Sequence, residues 1–113
     1  MSITADLIRG HTEMIILAQL LHGDSYGYQI NKATQEKTGN QFALKEATLY
    51  TAFRRLEDMG CIYSYWGDEQ SGARRRYYSI TERGRKQYEK LLAEWRVARE
   101  LIDKLVAEEV DNG

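Results

Sequence analysis

Lys45, Thr48, Tyr50, Thr51, Arg54 and Arg55 lie within eleven consecutive residues, and Arg74, Arg75 and Arg76 follow one another a short way downstream. Hydroxyls that donate and accept, together with guanidinium forks, suit the edges of bases, whereas a row of cations suits phosphate oxygens. Such side chains read or grip a polyanion and do not by themselves break bonds. Catalysis finds no support elsewhere in the chain. His11 and His22 have no nucleophile or carboxylate at a motif spacing, no glycine-rich phosphate loop is present, and a single cysteine, Cys61, with two histidines gives no zinc spacing. Neither an enzyme nor a cofactor or metal site is expected. Cys61 reads as a small buried apolar side chain at a strand start.

To enter a groove, these polar residues must project from one side of a helix that is anchored by the other. Residues 46–59 meet that requirement: Leu49, Ala52, Phe53 and Leu56 share one side, Ala47, Thr51 and Arg54 the opposite one, and Gly60 is the stop. The alternative for Arg54 and Arg55 is a solvated surface with helical pairs to Asp58 or Glu57. Beyond Gly60, CIYSYWG and ARRRYYSI are aromatic and β-branched runs joined by the polar turn DEQSG, which predicts a hairpin. Strand alternation sends Arg74 and Arg76 to one face and Arg75 to the other, so two of the three are expected on phosphates. Their competing use is pairing with Asp68 or Glu69 and stacking on Tyr63, Tyr65 or Trp66.

Two helices are predicted upstream. Residues 5–22 carry Leu7, Ile8, Met14, Ile15, Leu17, Leu20 and Leu21 mostly at three- and four-residue steps, and His22, Gly23 and Asp24 end the pattern. Ser25 is placed to cap a second helix reaching about Thr38, with Tyr26 or Tyr28, Ile30 and Ala33 inward. Downstream, Thr81 is placed to cap a long helix to about Glu108, along which Tyr88, Leu91, Trp95, Ala98, Ile102 and Leu105 form a seam of about two and a half heptads. The seam predicts pairing of two copies, with docking on the first helix as the alternative. The expected fold class is mainly α with a small β-hairpin. It comprises a winged helix-turn-helix over residues 1–80, whose first helix contributes to the dimer, and a C-terminal dimerisation helix over residues 81–113.

With 113 residues, 42% of them hydrophobic, the chain is one domain's worth and can bury a core, though association would help it. Its net charge is −1, so affinity for nucleic acid must come from a local patch; residues 45–80 hold six Lys/Arg against five Asp/Glu. No apolar run reaches membrane-spanning length and MSITADLIRG lacks the layout of a secretion signal, so a cytoplasmic protein without a membrane partner is expected.

The segments GHTEMIILAQLLHGDSYGYQI, EATLYTAFRRLEDMGCIYSYWGD and GARRRYYSITERGR resemble the PadR family of transcriptional regulators, in its short subgroup with a single C-terminal helix. The likeness spans nearly the whole chain. It implies a homodimeric bacterial DNA-binding protein, usually a repressor, that releases an inverted-repeat operator in double-stranded DNA when a small hydrophobic or aromatic effector binds. In some short, multidrug-responsive members a tryptophan on the last helix pairs across the dimer and sandwiches flat aromatic compounds. Trp95 is similar to that tryptophan by its place in EKLLAEWRVARELI. By the same likeness Leu7, Ile8 and Met14 line the effector cavity, with core packing as their alternative use. Arg99 stands one turn beyond Trp95, where a drug-binding relative would offer an acid, which implies no preference for cationic compounds. A reading of another class competes with this one: a winged-helix adaptor that binds a protein partner through the aromatic hairpin and long helix, without DNA. It predicts Arg54, Arg74, Arg75 and Arg76 tied up in intramolecular pairs.

Overall fold

The computed structural model describes residues 3–67 and 74–107. Its helices are α1 (Ile3–Arg9), α2 (Thr12–Leu20), α3 (Gly27–Lys37), α4 (Glu46–Asp58) and α5 (Glu82–Val106), and its strands are β1 (Ser25–Tyr26), β2 (Ile62–Trp66) and β3 (Arg76–Ile80). The strands form one antiparallel sheet in the order β1-β3-β2. The architecture is a winged helix with a long trailing helix. No helix among the described residues is long and apolar enough to cross a membrane.

The single first helix expected over residues 5–22 is two helices. Gly10 and His11 interrupt it, and the Thr12 hydroxyl donates to the Arg9 carbonyl at 2.7 Å, occupying an acceptor that a continuous helix would offer to a backbone N–H. Glycine's low helical preference makes this the place for the break. α2 buries Ile16, Leu17 and Leu20, whereas α1 buries nothing.

A second difference lies at Ser25. Ser25 and Tyr26 form β1, pairing with Tyr78 and Tyr77, and α3 starts only after them, with no side-chain cap. Ser25 donates instead to the Gln29 side chain at 2.6 Å. Ile30 is buried as expected, while Tyr28 is exposed and Tyr26 is half-buried in the sheet.

The α3–α4 turn is pinned from three sides. Asn31 brackets Leu44, its amide donating to the Leu44 carbonyl and its oxygen accepting the Leu44 N–H, both at 2.8 Å. Thr38 accepts from the Phe42 N–H at 3.2 Å, and Phe42 and Leu44 are buried. α3 closes in a Schellman arrangement, Asn40 N–H donating to the Gln35 carbonyl and Gly39 N–H to that of Glu36. α4 ends the same way: Cys61 N–H donates to the Leu56 carbonyl and Gly60 N–H to that of Glu57, with Gly60 at φ +75°.

One core joins these parts: Ile16, Leu17 and Leu20 of α2, Ile30 of α3, Leu49, Phe53 and Leu56 of α4, and Ile62 and Tyr78 of the sheet. Cys61 is buried just before β2, and burial raises its thiol pKa. Thr81 caps α5 by accepting the Gly84 N–H at 3.0 Å, while its own hydroxyl donates to the Gly60 carbonyl at 2.7 Å. Gly84 is required there, because a Cβ would overlap the Cys61 carbonyl oxygen and lie 2.7 Å from Ile80 Cγ1. Tyr88 and Leu91 pack on the core. From Trp95 onward every described residue of α5 is exposed, which draws the molecule out to 67 × 30 × 21 Å.

Candidate nucleic-acid interface

α4 buries Leu49, Ala52, Phe53 and Leu56. The opposite side presents Ala47, Tyr50, Thr51 and Arg54 to solvent, and Lys45 is exposed at the helix start. Tyr50 is braced at its base by an edge-to-face contact with Phe53, ring centroids 5.6 Å apart. Its hydroxyl lies against Gly27, where a Cβ would come within 2.8 Å of it, so the absent side chain makes room for the Tyr50 phenol. Arg54 makes no salt bridge among the described residues. The chemistry on this face is two hydroxyls and a guanidinium on a convex helix, which fits base edges.

Two of the residues expected beside them turn elsewhere. Thr48 and Arg55 lie on the flank of α4 that faces α2 and α5, which Ala47 and Thr51 also border, and Arg55 Nε sits 3.2 Å from Glu13 Oε2. The pairs considered from sequence for Arg55, with Asp58 or Glu57, are not the ones formed.

The three arginines of the hairpin have different neighbours. β3 begins at Arg76, and the two residues before it meet rings on different sides, Arg74 that of Trp66, the register partner of Arg76, and Arg75 that of Tyr26, the register partner of Tyr77. The Arg74 guanidinium lies 5.2 Å from the Trp66 ring centroid and that of Arg75 lies 5.0 Å from Tyr26. Arg76 lies 5.9 Å from the Tyr78 ring and its Nη2 is 3.6 Å from Glu57 Oε1. Glu57 also accepts from Ser64 Oγ at 2.8 Å, so one carboxylate on α4 holds both strands of the wing. Tyr78 stacks on Phe53 at 3.9 Å, and burial raises its phenol pKa although the Arg76 charge pulls the other way. The pairing expected with Asp68 or Glu69 lies outside the described residues.

The outer face of the sheet carries a row of rings that the sequence reading did not assemble. Tyr26 meets Tyr77 edge on, Tyr77 stacks on Tyr65 at 5.7 Å, and Tyr63 tilts against Tyr65. The Tyr65 hydroxyl donates to the Asp24 carboxylate, which pushes its pKa up to about 12. Strand alternation in IYSYW and RYYSI was the available signal, but the contribution of β1 was not.

A second feature opens between α2, α4 and α5: a cleft of about 760 Å³ whose wall includes His11, Glu13, Met14, Thr51, Arg55 and Trp95. Met14 and Trp95, expected together, are brought together there. Leu7, Ile8 and Arg99 are not part of this wall. Leu7 is exposed, Ile8 packs against the core, and Arg99 lies further along α5 beside Glu100 and Asp103. Of the seam residues, Tyr88 and Leu91 dock on the core, while Trp95, Ala98, Ile102 and Leu105 are exposed.

Comparison with known proteins gives one consistent answer. The profile of the transcriptional regulator PadR-like family matches residues 16–90. A transcriptional regulator from Clostridium thermocellum is 46% identical, with a TM-score of 0.84 over 94% of this chain and 100% of that one. A PadR family transcription regulator from Clostridium difficile is 36% identical, with a TM-score of 0.72 over 86% of this chain and 99% of that one. A protein of Lysinibacillus sphaericus, described as uncharacterized, is 44% identical over 89% of this chain and 93% of its own length.

Proposed function

The chain belongs to the PadR-like family of transcriptional regulators, and from that premise we propose that it is a sequence-specific, ligand-responsive repressor acting on double-stranded DNA as a homodimer. The observation that carries the reading is the presentation of Tyr50, Thr51 and Arg54 on a helix whose start is pinned by Asn31 and whose far end is clamped to the wing by Glu57. A rigid reading face beside a cation-bearing wing is what groove recognition requires. Thr51, Arg54 and Tyr50 address base edges, and Lys45, Arg74 and Arg75 address phosphates. Thr48, Arg55 and Arg76 have a supporting role, since the two arginines are held by carboxylates.

In this reading residues 1–80 form the reading head and residues 81–113 the dimerisation element. Support comes from the apolar side chains that α5 leaves uncovered, among them Leu101, Ile102 and Leu105, and from Ile3 and Leu7 on α1. A twofold dimer sets its reading helices about 34 Å apart and calls for an inverted repeat. With about six to eight phosphates neutralised, the salt slope is about −5 to −7. The effector is a small aromatic molecule seated against Trp95 in the cleft between α2, α4 and α5, where it can alter the separation of the two heads. Such a protein works in the cytoplasm, where its operator is.

Electrophoretic mobility shift with the promoter region of the chain's own gene, over a salt series, tests the reading. Arg54→Ala is expected to weaken binding by about 1 to 3 kcal/mol, and Arg76→Ala by less. Absence of any salt-sensitive complex defeats the proposal. The exposed tyrosine row on the sheet favours a second reading, an adaptor for a protein partner, which is supported instead if DNA binding is absent and Tyr63→Ala abolishes partner capture.

A further inference from the structure

Arg54 and Arg55 are neighbours on the reading helix, yet their surroundings differ. Arg54 makes no salt bridge among the described residues, whereas Arg55 Nε lies 3.2 Å from Glu13 Oε2. Glu13 belongs to α2, which carries none of the outward reading residues. Its side chain is only 21% accessible against 68% for Arg55, so the acid is the fixed end of the pair and the arginine reaches to it. The pair stands in the wall of the Trp95 cleft, which Ala47 and Thr51 of α4 also border.

We propose that Glu13 is a positioning residue that holds Arg55 against α2, so that an acid on a neighbouring helix limits how much positive charge α4 offers to DNA phosphates. The inference rests on the DNA-binding reading above and deepens it. A partly exposed pair of this kind is weak, so a phosphate row can compete with it and its loss leaves the fold intact. While it persists, however, it neutralises one of the two adjacent guanidiniums and occupies its Nε. Replacing the carboxylate by the isosteric amide releases Arg55 to the backbone of the duplex, adding one phosphate contact.

The test is a double-substitution cycle. Wild type, Glu13→Gln, Arg55→Gln and the combined variant are titrated onto a duplex carrying the promoter region of the chain's own gene, over a salt series, with urea unfolding to check that each is folded. Glu13→Gln is expected to bind about two- to fivefold tighter and to steepen the logarithmic salt slope by about 0.9. Both gains vanish when the same change is made on Arg55→Gln, because the effect passes through that guanidinium. Unchanged or weaker binding by Glu13→Gln overturns the inference. So does a gain that persists without Arg55, which would be a general effect of removing negative charge. A wild-type chain that forms no complex at low salt defeats the DNA-binding reading itself, and this inference with it.

Discussion

The rings of His11 and Trp95 meet edge to face, with centroids 5.0 Å apart and planes at 60°. The contact joins the residue that precedes α2 to the middle of α5, at the point where α5 leaves the core. It also gives His11, for which the sequence offered no motif spacing, a place in the wall of the cleft.

His11→Ala should therefore loosen the junction without dismantling the core. A loss of about 0.5 to 1.5 kcal/mol is expected for an aromatic pair, measured by urea unfolding. In a Trp66→Phe background the remaining Trp95 emission should shift to the red as the indole gains water, and a planar aromatic compound should quench it less than in the parent.

Gly84→Ala and Gly27→Ala should separate stability from recognition. At Gly84 the added carbon meets the Cys61 backbone, which cannot yield without moving the start of β2, so a loss of about 2 kcal/mol or more is expected. At Gly27 it meets the far end of the Tyr50 side chain, which can swing aside. Thermal unfolding should register the first change strongly and the second weakly, whereas DNA affinity should fall in the folded Gly27 variant because Tyr50 is displaced.

The Tyr65 hydroxyl donates to the Asp24 carboxylate and its pKa is pushed up to about 12 from an ordinary value of 10. The folded state thus retains the phenolic proton that the unfolded chain releases earlier. The stabilisation is complete below pH 10 and is lost as pH rises through 12. Tyrosinate absorbance should show one late-titrating phenol that disappears in Tyr65→Phe and titrates earlier in Asp24→Asn; a Tyr65 step unaffected by Asp24→Asn would refute the assignment.

Ile102 and Leu105 are 54% and 82% exposed and contribute nothing to the core of a single subunit. Ile102→Asp with Leu105→Arg is expected to leave the unfolding of the reading head unchanged while halving the mass measured by light scattering, with DNA affinity dropping more than tenfold as the second head is lost. A parent that already has the mass of one chain, or a variant that keeps the parent mass, refutes pairing through this stretch of α5.

Much of this molecule was legible from one chain. Burial on a helix repeats every three to four residues and on a strand every two, so Leu49, Ala52, Phe53 and Leu56 marked the inner side of α4, and Thr81 and Gly60 marked ends through local hydrogen bonding. Those are properties of neighbours in sequence. The break at Gly10 and His11 was missed although residues 9–13 carry no apolar side chain and Gly10 weakens the helix there; the Thr12 hydroxyl, which takes the Arg9 carbonyl, was the part that sequence did not show. Nor did it show β1, whose two residues become a strand only because Tyr77 and Tyr78 lie beside them.

By itself the sequence determined the order of helices, hairpin and long helix, and the inner side of α4, because periodic burial and end signals are local. Tertiary structure alone decided which arginines are held and by what: Arg55 by Glu13, Arg76 by Glu57, with Arg54 left to solvent. The reason is geometric. An ion pair depends on two side chains meeting within a few ångströms, and elements far apart in the chain acquire that proximity only when the core closes.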